Sequence, residues 1–316
     1  MKTEFDSDIV IIGAGMTGLC LGHHLLTQNQ SVLLLEKSRG VGGRLATRRF
    51  DRNMFDTGAQ FMRARSEEFR AFLKPHVQNN TLKLWKEDEQ GNPMYWGGHK
   101  MTDLPKALAA KQKINLETQV EKLEFHQQHW NILAKDNFST TCKQLVITSP
   151  LPQSLQLLSN SGLEIDSNDL NKMMNIEYRK TLGLLATCTS SPPNVWMDYP
   201  DHPDLERCVD QSQKGVSQQQ GCLMFHFTHE FSTKWIEAPE NEIEQEMLRI
   251  IKDLDFQIKT SQLKKWRYAD PLTTYGAMAY SPKTYPTLHL GGDAFGGGSV
   301  EGAWRSAMKL LSLLNL

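Results

Sequence analysis

The chain carries no surplus of either charge. Lys plus Arg number 35 against 36 Asp plus Glu, a formal net charge of −1 over 316 residues. Global charge therefore steers neither nucleic acid nor an anionic membrane towards it, and no basic run is long enough to make a local patch for either. Cysteine is also sparse. Cys20, Cys142, Cys188, Cys208 and Cys222 are odd in number and contain no Cys-x-x-Cys pair. This speaks against a disulfide framework and a structural zinc site, and a reducing cytoplasm is the expected setting. Neither His23-His24 nor the pair His126 and His129 shows metal-ligand spacing with supporting acids, so no metal is expected. No membrane span is expected either, because Gly13, Gly15, Gly18, His23 and His24 interrupt the apolar stretch from Ile9 to Leu26. Residues 1–8 are polar and acidic and lack the charge pattern of a secretory leader.

What is present is glycine, concentrated in three distant places. The length suits roughly two domains, with a core large enough to enclose a cofactor. Asp8–Ile12 is a continuous apolar run, as in a parallel strand buried on both faces. Gly13-Ala14-Gly15-Met16-Thr17-Gly18 follows, then a helix predicted over Met16 to Thr27 and a second buried strand over Val32–Leu35. In such a strand-turn-helix, Gly13 permits the turn, Gly15 lets backbone approach a pyrophosphate, and Gly18 lets helix and strand pack closely. The helix N-terminus offers free N–H groups to the anion. Glu36, at the end of the second strand, can accept hydrogen bonds from a ribose diol. This much does not separate NAD from FAD. A second loop, Arg39-Gly40-Val41-Gly42-Gly43-Arg44, adds backbone amides and a guanidinium able to grip phosphate in a forked geometry. Arg48, Arg49 and Arg52 cluster just beyond it. A third segment, Gly291-Gly292-Asp293-Ala294, lies between a strand predicted at Thr287 to Leu290 and a last helix from about Val300. There Asp293 can hold ribitol hydroxyls, and the helix N-terminus can stabilise charge on a reduced flavin. The three together point to FAD.

Elsewhere a helix is predicted over Ser66 to His76, capped by Ser66, and another over Thr102 to Lys111, capped by Thr102 with Pro105 in its first turn. Gly91-Asn92-Pro93 marks a turn within 82–97. Val120–Phe125, Trp130–Leu133 and Gln144–Ile147 read as an antiparallel meander. From about 156 to 274 Met, Gln and Ser rise and Gly thins. Leu182–Thr187 and Leu223–Phe227 read as strands there and Asn241–Leu254 as a helix, which suggests a second domain.

These residues resemble the amine-oxidase-like flavoprotein superfamily, and within it the bacterial renalase-like proteins. The narrower likeness rests on Asp56-Thr57-Gly58-Ala59-Gln60-Phe61, Ile147-Thr148-Ser149-Pro150-Leu151-Pro152, Lys265-Trp266-Arg267-Tyr268-Ala269, and Gly292-Asp293-Ala294 through Val300-Glu301-Gly302-Ala303. The resemblance implies an α/β fold of three layers. A Rossmann-like FAD domain would span 1–75, 99–155 and 275–316, its parallel sheet overlain by the meander. An inserted α+β substrate domain with an antiparallel sheet would span 76–98 and 156–274. It implies cofactor contacts at Gly13, Ala14, Gly15, Met16, Thr17, Gly18, Glu36, Lys37, Gly43, Arg44, Gly58, Ala59, Gln60, Phe61, Val120, Gly292, Asp293 and Val300. It also implies an activity: oxidation of 2- or 6-dihydro isomers of NAD(P)H to NAD(P)+, with hydride passed to FAD and dioxygen reduced to hydrogen peroxide. The alternative is an amine oxidase or desaturase of the same superfamily. Ser299 stands where amine oxidases place an aromatic wall, and Ala294 to Ser299 contains no cysteine, so non-covalent FAD without an aromatic amine cage is expected.

A dihydropyridine releases hydride without prior deprotonation, so its site needs positioning and charge complementarity more than an acid or base. His226, in the apolar run Phe225-His226-Phe227, and Trp266 are the candidates near substrate, and Gln60 is the candidate at the isoalloxazine edge. A core histidine satisfied by backbone explains His226 equally well, and ordinary core packing explains Trp266.

Overall fold

The computed structural model describes residues 5–314. The first half of the polar segment 1–8, and residues 315–316 at the close of the expected FAD domain, lie outside them. Ser7–Ile12 pairs in parallel on both edges, with Val32–Leu35 and with Ser139–Ile147. Val32–Leu35 continues to Lys113–Asn115, and Leu145 to Ile147 continue to Leu288–Leu290. Alternation then sorts the side chains. Ile9, Ile11 and Leu34 pack with Leu19, Ala303, Ala307 and Leu310 of the helices Met16–Thr27 and Ser299–Leu313. Val10, Ile12, Leu33 and Leu35 face the other way, onto Leu151, Leu157 and Leu158 of the helix Leu151–Asn160. Both faces are covered, which is why these strands read as unbroken apolar runs.

The meander forms from Val120–His126, His129–Ala134 and Ser139–Ile147. It differs from the expected overlying ribbon. Its third strand is itself a parallel strand of the main sheet, with residues 139–142 paired to the meander and 145–147 paired to Leu288–Leu290. The meander is thus hydrogen-bonded into the sheet.

Ser66 caps the helix Glu67–Gln78, its Oγ accepting from the Phe69 N–H. Thr102 does not cap its helix, which spans Asp103–Ala109. Its backbone is already helical, at φ −72° and ψ −4°, and its hydroxyl bonds Thr47 instead. The Asp103 carboxylate takes the amides of His99 and Lys100.

A second sheet is antiparallel throughout. Its strands run in the order Trp196–Asp198, Leu205–Asp210, Cys222–Phe227, Tyr178–Cys188, Ile258–Pro271. One face packs Leu182, Leu184, Phe225 and Phe227 against the helix Glu240–Lys252. Leu82–Glu87 and Pro93–Gly97 form a hairpin around the expected turn. All five cysteines are buried free thiols. Among the described residues no helix is long and apolar enough to cross a membrane, and no group of His, Cys, Asp or Glu is arranged to hold a metal.

Candidate active site

The C-terminal ends of the parallel strands, the N-termini of the helices Met16–Thr27 and Ser299–Leu313, and residues of the second sheet enclose a cavity of about 1850 Å³. That exceeds the 300–1,000 Å³ typical of a small-molecule pocket and leaves room for a dinucleotide with a second molecule beside it. Every expected cofactor residue lines it except Ala14 and Gly18. These two are buried in the wall. The Ala14 N–H donates to Glu36 Oε2 at 2.8 Å. A Cβ at Gly18 would lie 2.1 Å from the Gly13 carbonyl oxygen, so close packing demands glycine there.

The turn has the shape an anion needs. Gly13 sits at φ +105°, and a Cβ there would meet Thr148 Oγ1 at 2.9 Å. Gly15 differs. Its φ is −77°, and a Cβ would meet nothing within 4 Å. Its backbone therefore borders open cavity at the helix N-terminus, a cradle for phosphate. Gly40, on the second loop, has the same open surroundings. Gly42 at φ +107° donates its N–H to the Ala14 carbonyl at 2.8 Å and locks the two loops together. Glu36 takes amides on both oxygens, from Ala14 and Ser38, each at 2.8 Å. This fixes the carboxylate while leaving lone pairs for a diol. The Thr17 hydroxyl donates to the Ala303 carbonyl at 3.0 Å, so two helix N-termini meet at the cavity. These features fit an FAD, whose pyrophosphate they would hold at Gly15 and whose ribose at Glu36.

Two expected roles take a different form. The Arg44 fork is filled by Asp293, with Nη1 to Oδ2 at 2.5 Å and Nη2 to Oδ1 at 2.7 Å. Nη1 also reaches the Ala269 carbonyl at 3.2 Å. The two loops carry opposite charges across one cavity and pair bidentately, so the guanidinium fork is taken by a carboxylate instead of a phosphate, while each Asp293 oxygen keeps a lone pair for a ribitol hydroxyl. Gln60 lines the cavity, yet its amide is committed inward. Nε2 donates to the Asp56 and Gly58 carbonyls, and Oε1 accepts from Gln211 at 3.1 Å and Lys214 at 3.3 Å. No amide hydrogen bond is left for an isoalloxazine edge.

On the opposite wall, strand register places Arg207, His226, Gly183 and Lys264 side by side on successive strands of the second sheet. Arg207, His226 and Lys264 line the cavity. His226 is 8% exposed, and its Nε2 is buried without a partner. Burial first, then Arg207 and Lys214, pull its pKa down to about 3, so the imidazole is neutral. Burial and Arg48 lower the Lys264 ammonium to about 8. That ammonium lies 4.2 Å from the centre of the Trp266 ring. Trp266 is half-buried and lines the cavity, and its Nε1–H donates to the Thr57 carbonyl at 2.6 Å. It is therefore a wall fixed in place, not interior packing. Ser299 also lines the cavity, at φ +62°.

Several site residues escape sequence reasoning. Lys214 pairs with Asp56 at 2.8 Å, both side chains almost wholly buried beneath Gln60. Glu301, part of the segment Val300-Glu301-Gly302-Ala303 but given no role from sequence, accepts the Arg65 and Ser66 amides at 2.7 and 2.9 Å and ties the last helix to the segment following Phe61. Arg207 and Lys264 carry no motif; only their alternation within strands could have marked them.

Comparison with known proteins gives two adjoining matches. Residues 11–75 match the model of the NAD(P)-binding Rossmann-like domain. Residues 80–309 match the model described as flavin containing amine oxidoreductase. Three solved structures share the fold. A CLA-producing fatty acid isomerase from P. acnes superposes with a TM-score of 0.74 at 11% identity, over 98% of this chain and 99% of that one. A protein from Exiguobacterium sp. 255-15, provisionally assigned as a protoporphyrinogen oxidase, gives 0.69 at 12% identity, over 97% and 98%. An oxidoreductase from Methanosarcina mazei gives 0.68 at 15% identity, over 96% and 100%. At such identities the likeness shows the fold.

Proposed function

The chain belongs to the flavin containing amine oxidoreductase family, and on that premise we propose that this FAD-dependent oxidoreductase oxidises 2- and 6-dihydro isomers of NAD(P)H to NAD(P)+. The observation that carries the choice of substrate is the charge of the cavity. The molecule as a whole is balanced, at −1, but fourteen Lys or Arg and only five Asp or Glu line the cavity. Such walls attract anions and repel a protonated amine. FAD pyrophosphate accounts for the cations on the glycine loops, Lys37 and Arg39 among them. On the second-sheet side Arg179, Arg207, Lys265 and Arg267 are paired with Asp270, Glu206, Glu240 and Glu237, and Lys264, which lines the cavity without a carboxylate partner among the described residues, is left to meet an anionic substrate such as a dinucleotide.

His226 is neutral and its Nε2 is buried without a hydrogen-bond partner, so it serves no proton relay. A dihydropyridine needs none, because its ring-nitrogen lone pair expels the hydride as the ring becomes aromatic. Trp266, held by Thr57, offers a flat wall for that ring. Lys264 balances substrate charge, and His226 offers one uncommitted polar atom. Bound FAD supplies the hydride acceptor, and dioxygen its oxidant, with hydrogen peroxide as product. We also propose that 1–75, 99–155 and 275–316 form the cofactor-binding unit and 76–98 with 156–274 the substrate unit. Five buried free thiols suit a reducing cytoplasm.

The test is anaerobic mixing of the purified yellow protein with each isomer. Rapid bleaching of the flavin band is expected, and stoichiometric peroxide in air. An oxidised spectrum that persists with every dihydro isomer, beside fast peroxide release from an amine panel, would replace this reading with amine oxidation.

A further inference from the structure

The cavity adjoins a second hollow of about 440 Å³, and the two share Phe61, Arg63, Trp196 and Arg207 as walls. Trp85 closes the hollow. Three rings from three separate chain segments meet there. Trp85 and Trp196 are centred 5.0 Å apart, and Phe61 lies 5.6 Å from each. Trp96 stacks behind Trp85 at 4.9 Å and 20°. Cations dress the rings: the Arg207 guanidinium lies 4.9 Å from the centre of Trp196, and Lys86 Nζ 4.4 Å from that of Trp85. Phe61, Trp85 and Trp196 are only half-buried. Isolated surface aromatics are ordinary, but a gathered set at the mouth of a cavity is a binding wall.

The polar groups say what kind of molecule fits. Asp88 holds Arg63 at 3.2 Å, and Glu206 and Asp198 hold Arg207. With Glu87 and Glu89 also on the rim, the hollow itself leans acidic, unlike the main cavity. It suits a flat, uncharged group whose anionic part points inward. Trp196 lies four strands away from Trp266, and its register row, through Val209, Met224 and Leu185, meets the last strand at Gln262, four residues short of Trp266. The two rings thus stand well apart on the cavity wall, as the two ends of a dinucleotide require.

We propose that this hollow is the stacking subsite for the adenine of the dinucleotide substrate. The proposal rests on the dihydropyridine-nucleotide reading and extends it. Trp85, Trp196 and Phe61 hold the base, Arg207 stands between the base and the inner cavity, and the reactive pyridine lies at the Trp266 end. Turnover of a dihydro isomer of NAD should therefore exceed that of the matching isomer of nicotinamide mononucleotide in kcat/KM. Trp85→Ala should shrink the ratio of the two about tenfold, the usual worth of one base stacked on an aromatic ring. Trp85→Phe should restore most of it.

Calorimetric titration of the FAD-loaded protein with AMP provides an arm independent of turnover. Binding that weakens about tenfold in Trp85→Ala, with flavin absorbance retained, supports the subsite. Equal kcat/KM for both isomers and no heat from AMP overturn it while leaving the proposed reaction intact. If no isomer bleaches the flavin, the reaction fails, and the AMP titration alone decides the subsite.

Discussion

Gly15→Val separates loss of cofactor from loss of fold. At Gly13 or Gly18 a side chain would collide with the protein itself, Thr148 in one case and the Gly13 carbonyl in the other. At Gly15 the backbone angle is one that any residue adopts, and a Cβ meets nothing. The branched side chain would enter only the space reserved for pyrophosphate. The expected product is a folded, colourless protein with a normal far-UV spectrum and at least a hundredfold weaker FAD affinity. Stoichiometric FAD in that variant would show that phosphate does not lie at this turn. The glycines were readable from sequence because their demands are local: a turn, an approach, a close contact. The partners of Arg44 and Gln60 were not, since Arg44 meets Asp293 across 249 residues and Gln60 meets Gln211 across 151. Residue type shows that a guanidinium wants a fork. It does not show which carboxylate reaches it first.

The Lys214–Asp56 pair operates between elements. Asp56 ends the strand Asn53–Asp56, and Lys214 lies in the loop after Leu205–Asp210. Asp56 Oδ1 further accepts the Thr47 hydroxyl at 2.6 Å and the Met101 amide at 3.0 Å. One buried junction thus ties a hairpin, the segment before a helix and the second sheet beneath the cavity. Burial lowers the Lys214 pKa, and the Asp56 carboxylate opposes it. Removing one partner of such a pair leaves an uncompensated charge and costs about 3–5 kcal/mol. Lys214→Met should lose about that much in denaturant unfolding of the FAD-loaded protein, and Lys214→Met with Asp56→Asn should lose less than the sum of the two single changes. Simple additivity would mean the charges do not couple. The hairpin bearing Asp56 was hidden in the sequence because its turn, Asp51-Arg52, adopts φ of +46° and +64° without glycine, where Asn-Gly is the usual signal. Ile258–Pro271 was hidden for another reason. Its fourteen residues are half-buried or exposed along most of their length, so no apolar run marks them. The parallel strands were legible because both of their faces are covered.

At the scale of the molecule, the fold lowers the pKa of four histidines, His24, His76, His226 and His289, and for the last two the cost in acid is largest. Burial, reinforced by Arg207 and Lys214, sets His226 at about 3, and burial alone sets His289 at about 4. Both values lie below the 6.5 of an unfolded histidine. From pH 6.5 down to those values the unfolded chain binds more protons than the folded one, so stability is full above pH 6.5 and falls as pH drops through this window. Each histidine whose proton the fold withholds costs about 1.36 kcal/mol for every pH step of one below 6.5, so the two together should remove about 4 kcal/mol at pH 5. Carboxylates that accept backbone amides, such as Glu301, push in the same direction, so the histidine share must be isolated by substitution. His289 bonds Ser281 at 2.7 Å and Gln144 at 3.0 Å, and His289→Gln keeps a polar group there without a proton to gain. Unfolding of wild type and His289→Gln, followed from pH 7.5 to 5, should give a gap between the two that narrows by about 2 kcal/mol. A constant gap would mean that His289 accepts its proton inside the folded protein, and the dry interior between the two sheet strands it bridges would have to be wet.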